Sequence, residues 1–214
     1  FEISWLKNTN LWPMNKVLPI LPLIFSICLT LITSFSLAQT TPYFQQTVDH
    51  VIHVELNDVD NELDAEIVTT YINNSPDELE LIWMHVWPNA YSSAKTALAK
   101  QQFRVGDMFM FYAMARDMGG IDGLDFKIDG SRVDWEFHPQ HPDIAKIHLS
   151  KPLAPAESLE IYTPFKVRIP SGKISRLGHV GESFQITQWY PKPAVYDRDG
   201  WHEMPYLDQG EFYS

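Results

Sequence analysis

The chain has 214 residues, 16 Lys and Arg against 27 Asp and Glu for a formal net charge of −11, 45% hydrophobic residues and one Cys. That is enough for one sizeable globular domain, too apolar for disorder, and too acidic for a protein that follows nucleic-acid phosphates with clustered Lys and Arg. One Cys makes neither an internal disulfide nor a Cys-rich zinc site, and with no three-residue Gly period, no heptads and a single long apolar run, collagen-like, coiled-coil and polytopic membrane architectures are excluded.

Residues 17–37 are almost wholly apolar or hydroxylic, preceded by Met14-Asn15-Lys16 and followed by Ala38-Gln39. A short basic start, an apolar middle and small residues before a cut are what a secretory signal presents. Residues 1–13 then read as upstream, non-native sequence, 14–38 as the signal peptide and 39–214 as an exported domain. Its expected location is periplasmic or extracellular, or at the outer envelope. An uncleaved anchor is the alternative, since about 20 apolar residues span a bilayer. After cleavage no stable membrane insertion is expected. Cys28 lies inside the apolar run, which argues against a lipid-bearing N-terminal Cys. An exported domain without disulfides must be held by its core.

The remainder reads as strands. A strand is expected around His50 to His53. Leu63, Ala65, Ile67, Thr69 and Tyr71 alternate with polar residues, a period of two that puts one face on a core. Asn73-Asn74-Ser75-Pro76-Asp77 breaks the run. Residues 79–87 begin by alternating and become apolar on both faces at Ile82-Trp83-Met84. Further strands are expected at 125–128, 132–137, 144–149 with Ala145, Ile147 and Leu149 inward, and 159–169. The fold class is all-β and mainly antiparallel, a twisted, saddle-like sandwich with one or two short helices.

Two stretches depart from that rhythm. Ser92-Ser93 followed by residues 94–100 offers an N-cap and good helix formers, so a short helix is expected there. Residues 107–118, dense in Met and aromatics, fit a helical turn or a strand equally by apolar content. They serve either as ordinary core or as a Met-rich contact surface.

Motifs that carry chemistry are sparse. His50 and His53 would point to opposite faces of a strand, and His138 and His141 stand in a proline-bracketed loop beside Asp143. Both pairs read as surface or turn histidines before metal ligands. There is no H-E-x-x-H, no G-x-S-x-G elbow and no phosphate-binding glycine loop. Asp122, Asp125, Asp129 and Asp134 lack the Gly and closing Glu of a calcium loop. Residues 209–214 read as a strand that has begun and not finished, so we expect the chain to be a piece of a longer protein.

The C-terminal stretch is dense in Trp, Tyr and Pro. The run Thr187-Gln188-Trp189-Tyr190-Pro191-Lys192-Pro193-Ala194-Val195-Tyr196-Asp197, with Trp201-His202-Glu203-Met204-Pro205-Tyr206, resembles the end of the N-terminal β-domain of aminopeptidase N-like zinc metallopeptidases, the gluzincin family of membrane alanyl aminopeptidase, in its exported bacterial branch. Asn73-Asn74-Ser75-Pro76 and Ile82-Trp83-Met84-His85-Val86-Trp87-Pro88-Asn89-Ala90-Tyr91 are similar to that domain's early strand pair and Pro-Asn turn.

The resemblance implies a domain that covers the substrate cleft of a catalytic domain carrying G-x-M-E-N and H-E-x-x-H, which binds one zinc and hydrolyses peptides from a free N-terminus. Neither motif is in this sequence, so no catalytic residue and no metal ligand is assigned to it. The implied partners are the protein's own C-terminal catalytic domain and a peptide substrate, not nucleic acid. Relatives place a Thr-Gln strand end beside the substrate amine, with an acidic or amide residue two positions later. Thr187-Gln188 matches the first part, and Tyr190 stands at the second. Gln188, with Gln185 behind it, is thereby a candidate substrate-binding residue. The alternative is a stand-alone exported sandwich that stacks sugar or peptide on Trp87, Tyr91, Trp189, Tyr190 and Trp201. Exposed rings in an open groove would mark that module, and buried rings beside an uncovered apolar face would mark a domain of a larger protein.

Overall fold

The structure is a computed structural model, and it describes residues 43–208. The expected signal peptide with its anchor alternative, Cys28 and the strand expected to begin within 209–214 fall outside the described residues.

Three eleven-residue strands form the backbone of one sheet: β1 (Thr47–Asn57), β2 (Glu62–Ile72) and β9 (Ser158–Arg168). They are antiparallel and pair without a register break. Leu63, Ala65, Ile67, Thr69 and Tyr71 of β2 face inward together with Leu159, Ile161, Thr163, Phe165 and Val167 of β9, because directly opposed residues share a face. Beyond β9 lie β4 (Gly120–Asp122), β5 (Lys127–Ile128) and β6 (Ser131–Arg132), which complete six strands. A second sheet runs in the order β12 (Lys192–Pro193), β3 (Leu79–His85), β8 (His141–Leu153) and β7 (Trp135–His138). Two small hairpins, β10 (Gly178–Val180) with β11 (Ser183–Gln185) and β13 (Tyr196–Asp197) with β14 (Gly200–Trp201), follow β9.

The inner row of the second sheet is Ile82 and Met84 opposite Ile147 and Ala145. All four are essentially inaccessible and join Ile67, Ile161, Phe165 and Val167 in one cluster. Each such aliphatic side chain contributes about 1.5–3 kcal/mol on leaving water, and this cluster does the work that no disulfide does. Ala145 and Ile147 are fully buried and Leu149 is half-buried, as their alternation implies.

Several boundaries differ from expectation for identifiable reasons. The strand expected over 79–87 ends at His85, and a 3-10 helix, Trp87–Tyr91, begins with Pro88 in its first turn, where proline's fixed φ suits a helix start. Asn89 pins that turn: its Nδ2 donates to the Pro142 carbonyl at 3.0 Å and its Oδ1 accepts from Ile121 N at 2.9 Å. The strand expected over 132–137 is two strands in different sheets, β6 and β7. A period of two continues through the crossover, so periodicity alone does not reveal it.

The expected helix is present as α1 (Ala97–Arg104), and its cap is Thr96 instead of Ser92 or Ser93. Thr96 Oγ1 accepts from Ala99 N at 3.2 Å and donates to the Ala90 carbonyl at 2.7 Å, so a buried tertiary bond moves the cap to Thr96. Residues 107–118 are neither one helix nor a strand. They form the single turn α2 (Phe109–Tyr112) and a 3-10 turn, Ala115–Asp117. Met110 and Met118 are core; Phe111, Tyr112 and Met114 are exposed. The stretch therefore divides between core and surface residue by residue.

One buried side chain joins two connections at one end of the sandwich. Asn73 Nδ2 donates to the carbonyls of Asp77 (2.8 Å) and Leu153 (3.0 Å), and its Oδ1 accepts from Ser75 N (3.0 Å) and Ser75 Oγ (2.6 Å). Its backbone N donates to the Glu157 carbonyl and its carbonyl accepts from Ala156 N. The β2–β3 connection is thus tied to the β8–β9 turn. Replacing Asn73 with Ala removes both donations and leaves the buried Ser75 N without its acceptor, at about 3 kcal/mol in total. The adjacent Asn74 bonds only exposed groups, and Asn74→Ala costs under about 1 kcal/mol by the same reasoning. Urea unfolding of the two variants distinguishes a hub from an ordinary turn.

Candidate functional site

The segment singled out by sequence follows the β10–β11 hairpin. That hairpin is held close by glycine: a Cβ on Gly178 would lie 2.6 Å from the Gly172 Cα, so only hydrogen fits. β11 ends at Gln185, two residues before the expected Thr-Gln strand end, and Gln185 is exposed opposite Gly178. The chain then turns across the inner face of the six-stranded sheet. Trp189 lies against Phe165 of β9 (5.9 Å between centroids) and Tyr190 against His50 of β1 (5.4 Å, edge-on). His50 Nδ1 is 2.9 Å from Thr69 Oγ1, and burial lowers the His50 pKa.

Gln188 sits in the turn with φ +51, a left-handed conformation rare for a residue with a side chain. Its Oε1 accepts from Lys192 Nζ at 2.7 Å. Lys192 Nζ also lies 4.2 Å from the centroid of Trp87, a cation–π contact, and Trp87 stacks on His85 at 4.8 Å. The chain of contacts is therefore Gln188, Lys192, Trp87, His85, drawn from β12, the β3 end and the turn after it. Gln185 is a strand-end polar residue with surroundings of its own. Lys192 and His85 were not candidates from sequence, and Trp87 was one only as a stacking ring of a stand-alone module. A contact four residues apart in irregular chain carries no periodic signal, and His85 reads as one more strand residue.

His85 is almost completely buried. Burial, together with the nearby Lys192 charge and against the His202 carbonyl, pushes its pKa down to about 3. Asp143, equally buried, accepts from Tyr206 N through Oδ2 at 2.6 Å, and burial raises its pKa. Tyr206 in turn packs on Trp87 and Tyr91. The segment after β14 thus closes the outer face of the second sheet over His85 and Ile144. At the surface, Asp197 Oδ1 is 2.9 Å from His202 Nε2, and that bond lowers the Asp197 pKa.

The remaining sequence candidates fall as follows. His50 faces inward and His53 is exposed, on opposite faces of β1. The His138 and His141 rings stack at 4.9 Å across the β7–β8 turn. Among the described residues no three His, Cys, Asp or Glu side chains converge to hold a metal. Asp125 pairs with Arg132 (3.4 Å) and Asp129 accepts from Glu160 N (3.0 Å), contacts of an ordinary strand connection. Trp87 and Tyr91 are buried, and Trp189, Tyr190 and Trp201 pack partly buried on the core. A hollow of 590 Å³ lies between residues 43–46 and 193–197, and none of those five rings lines it.

Past Tyr190, the inner face of the six-stranded sheet is buried along β2 and β9 and open only along β1. Val54, opposite Ala65, is 49% exposed, and Leu56, opposite Leu63, is 44% exposed. The turn that carries Gln188 therefore borders an apolar strip that nothing within residues 43–208 covers.

No family model and no curated protein matches the chain. Three solved structures of M1 zinc metallopeptidases are distantly similar to it, each at 12% identity with a TM-score of 0.36, covering 58% of this chain and 21% of that chain. They are a mutant enzyme from Deinococcus radiodurans, a two-domain mutant bound to L-arginine, and the Deinococcus radiodurans mutant bound to a Tyr-Ser-Ala substrate. The chain corresponds to about a fifth of the length of these structures.

A neutral buried His85 makes stability depend on pH in a defined direction. Its folded pKa lies below the unfolded value of 6.5, so the unfolded chain binds the extra proton. The stabilisation is complete above about pH 6.5 and is lost progressively as pH falls toward 3. Between pH 7.5 and 5 the loss from this group is about 2 kcal/mol, 1.5 pH units at about 1.4 kcal/mol each. His85→Phe keeps the stack on Trp87, so its urea midpoint at pH 7.5 should stay near that of the parent and fall less on going to pH 5.

Proposed function

We propose that the chain is the N-terminal β-domain of an exported zinc aminopeptidase-like metallopeptidase, forming one wall of the substrate cleft while a separate domain hydrolyses the peptide. The observation that carries this reading is the distribution of apolar surface. Of the rings a stand-alone binding module would display, Trp87 and Tyr91 are buried and Trp189, Tyr190 and Trp201 pack partly buried on the core, while Val54 and Leu56 stand half-exposed on the sheet face that the turn carrying the resembling motif crosses. Such a strip suits contact with further protein. The described residues do not fit a zinc site; the reading assigns the metal, and every step that depends on it, to residues outside 43–208.

Gln188 is the cleft-lining residue of this proposal. Lys192 already donates to Oε1, the atom that a substrate ammonium would need, and its charge repels an ammonium. The other amide atom, Nε2, is a donor and suits a peptide carbonyl of the substrate better than its terminal amine. Gln185, exposed at the end of β11, is kept as a second lining residue at the edge of the cleft.

Reading the source DNA in frame past Ser214 tests the proposal first: it should continue into G-x-M-E-N and H-E-x-x-H. In the longer protein, Gln188→Ala should raise KM for an aminoacyl-coumarylamide about fivefold, one hydrogen bond's worth, with kcat little changed. The 214-residue chain alone should neither bind zinc at one per chain nor hydrolyse the substrate. Tight stoichiometric zinc or turnover by this chain would sink the assignment.

A further inference from the structure

Five apolar side chains that the core does not use lie in and beside the two short helices. Phe103, Val105, Phe111, Tyr112 and Met114 are between 52% and 74% exposed. The rings of Phe103 and Phe111 are 6.0 Å apart, and those of Phe111 and Tyr112 are 5.2 Å apart. An exposed patch of this kind marks an interaction site.

The same stretch reverses the sign of the protein's charge. Lys95, Lys100, Arg104 and Arg116 are all exposed there. The two carboxylates among them are engaged locally: Phe109 N donates to Asp107 Oδ1 at 2.9 Å and Met114 N to Asp117 Oδ2 at 3.1 Å. Lys100 and Arg104, one turn apart on α1, share a side of the helix. They edge a hollow of 360 Å³ whose other lining residues are Ala94, Ala99, Phe103 and Phe111.

We propose that this face docks on the surface of a bilayer containing anionic lipid. The aromatic and Met side chains enter the boundary between headgroups and acyl chains, and lipid phosphates sit against Lys100 and Arg104. Interleaved cations and aromatic side chains are what interfacial segments use. The charge of −11 on the whole chain repels an anionic surface, so attraction is confined to the cationic face and fixes the orientation of approach. The most exposed members, Val105 just past α1 and Tyr112 at the last position of α2, protrude, a shape that suits insertion better than a protein groove. The contact is peripheral, for no helix among the described residues is long and apolar enough to cross a membrane.

The test uses residues 39–214, the exported domain expected after cleavage and free of Cys, carrying an environment-sensitive nitrobenzoxadiazole label at Tyr112→Cys. A second protein carries the label at Val59→Cys, an exposed position in the β1–β2 turn. Phosphatidylcholine vesicles containing phosphatidylglycerol should brighten and blue-shift the label at 112 and leave the label at 59 unchanged, while pure phosphatidylcholine should do little. Lys100→Gln with Arg104→Gln should require about thirtyfold more lipid for the same response, the loss of two surface cations, and added salt should act in the same direction. Both side chains are exposed, so the variant is expected to fold. No response at 112, an equal response at 59, or an undiminished response in the double variant would each overturn the proposal. So would the same shift produced without vesicles, whether by polyglutamate or by raising the protein concentration, because the face would then serve an acidic protein or a second copy.

Discussion

Asn73 sets the geometry on which the rest of the molecule depends. A sandwich needs its two sheets joined at a fixed distance, and the connection between β2 and β3 is where the chain leaves the six-stranded sheet for the four-stranded one. A buried loop there would strand backbone carbonyls in the interior. Asn73 resolves this because one amide both donates twice and accepts twice, serving Asp77, Leu153 and Ser75, while its own backbone pairs with Ala156 and Glu157. With that joint fixed, β3 and β8 lie over β2 and β9, and Ile82, Met84, Ala145 and Ile147 meet Ile67 and Phe165 in one core. Asn89 repeats the device farther along, between the 3-10 turn, β4 and β8.

The second consequence is the position of the turn that carries Gln188. It lies across the long sheet because Trp189 and Tyr190 have Phe165 and His50 to pack on, and because Lys192 and Pro193 pair with His85 and Met84 at the sheet edge. Packing on both sides holds Gln188 left-handed, a conformation that local sequence does not favour. Polar and charged groups then gather where aromatic rings shelter them: Lys192 over Trp87, His85 beneath it, and Asp143 on the Tyr206 amide. The burial that organises this cluster is also what keeps His85 uncharged.

The surface has two apolar regions of different character. The strip at Val54 and Leu56 is flat, set in a sheet and continuous with the core, and His53 and Glu55 of the same strand point to the opposite face. The region around Phe111 is protruding and flanked by cations. A flat strip suits a permanent neighbour, whereas protruding rings among Lys and Arg suit reversible contact with an anionic layer. The two readings concern different faces.

Much of the architecture was legible in the sequence. The period of two in β2 and β8 names the inward residues correctly, since a strand with one face on a core and one in water has no other pattern. Turn residues at 73–77 marked a break, and helix formers at 94–100 marked a helix. The sequence also implied that Gln188 belongs to an aromatic, proline-rigid segment. Tertiary structure decided what local chemistry leaves degenerate. Thr96, not Ser92 or Ser93, caps α1 because only its hydroxyl meets the Ala90 carbonyl; residues 132–137 divide between two sheets because the same alternation satisfies either. The grouping of Gln188 with Lys192, Trp87 and His85, and the division of the Met-rich stretch into core and surface, arise from contacts between distant parts of the chain. Neither periodicity nor spacing records such contacts, because burial is a property of what packs against a residue and not of the residue itself.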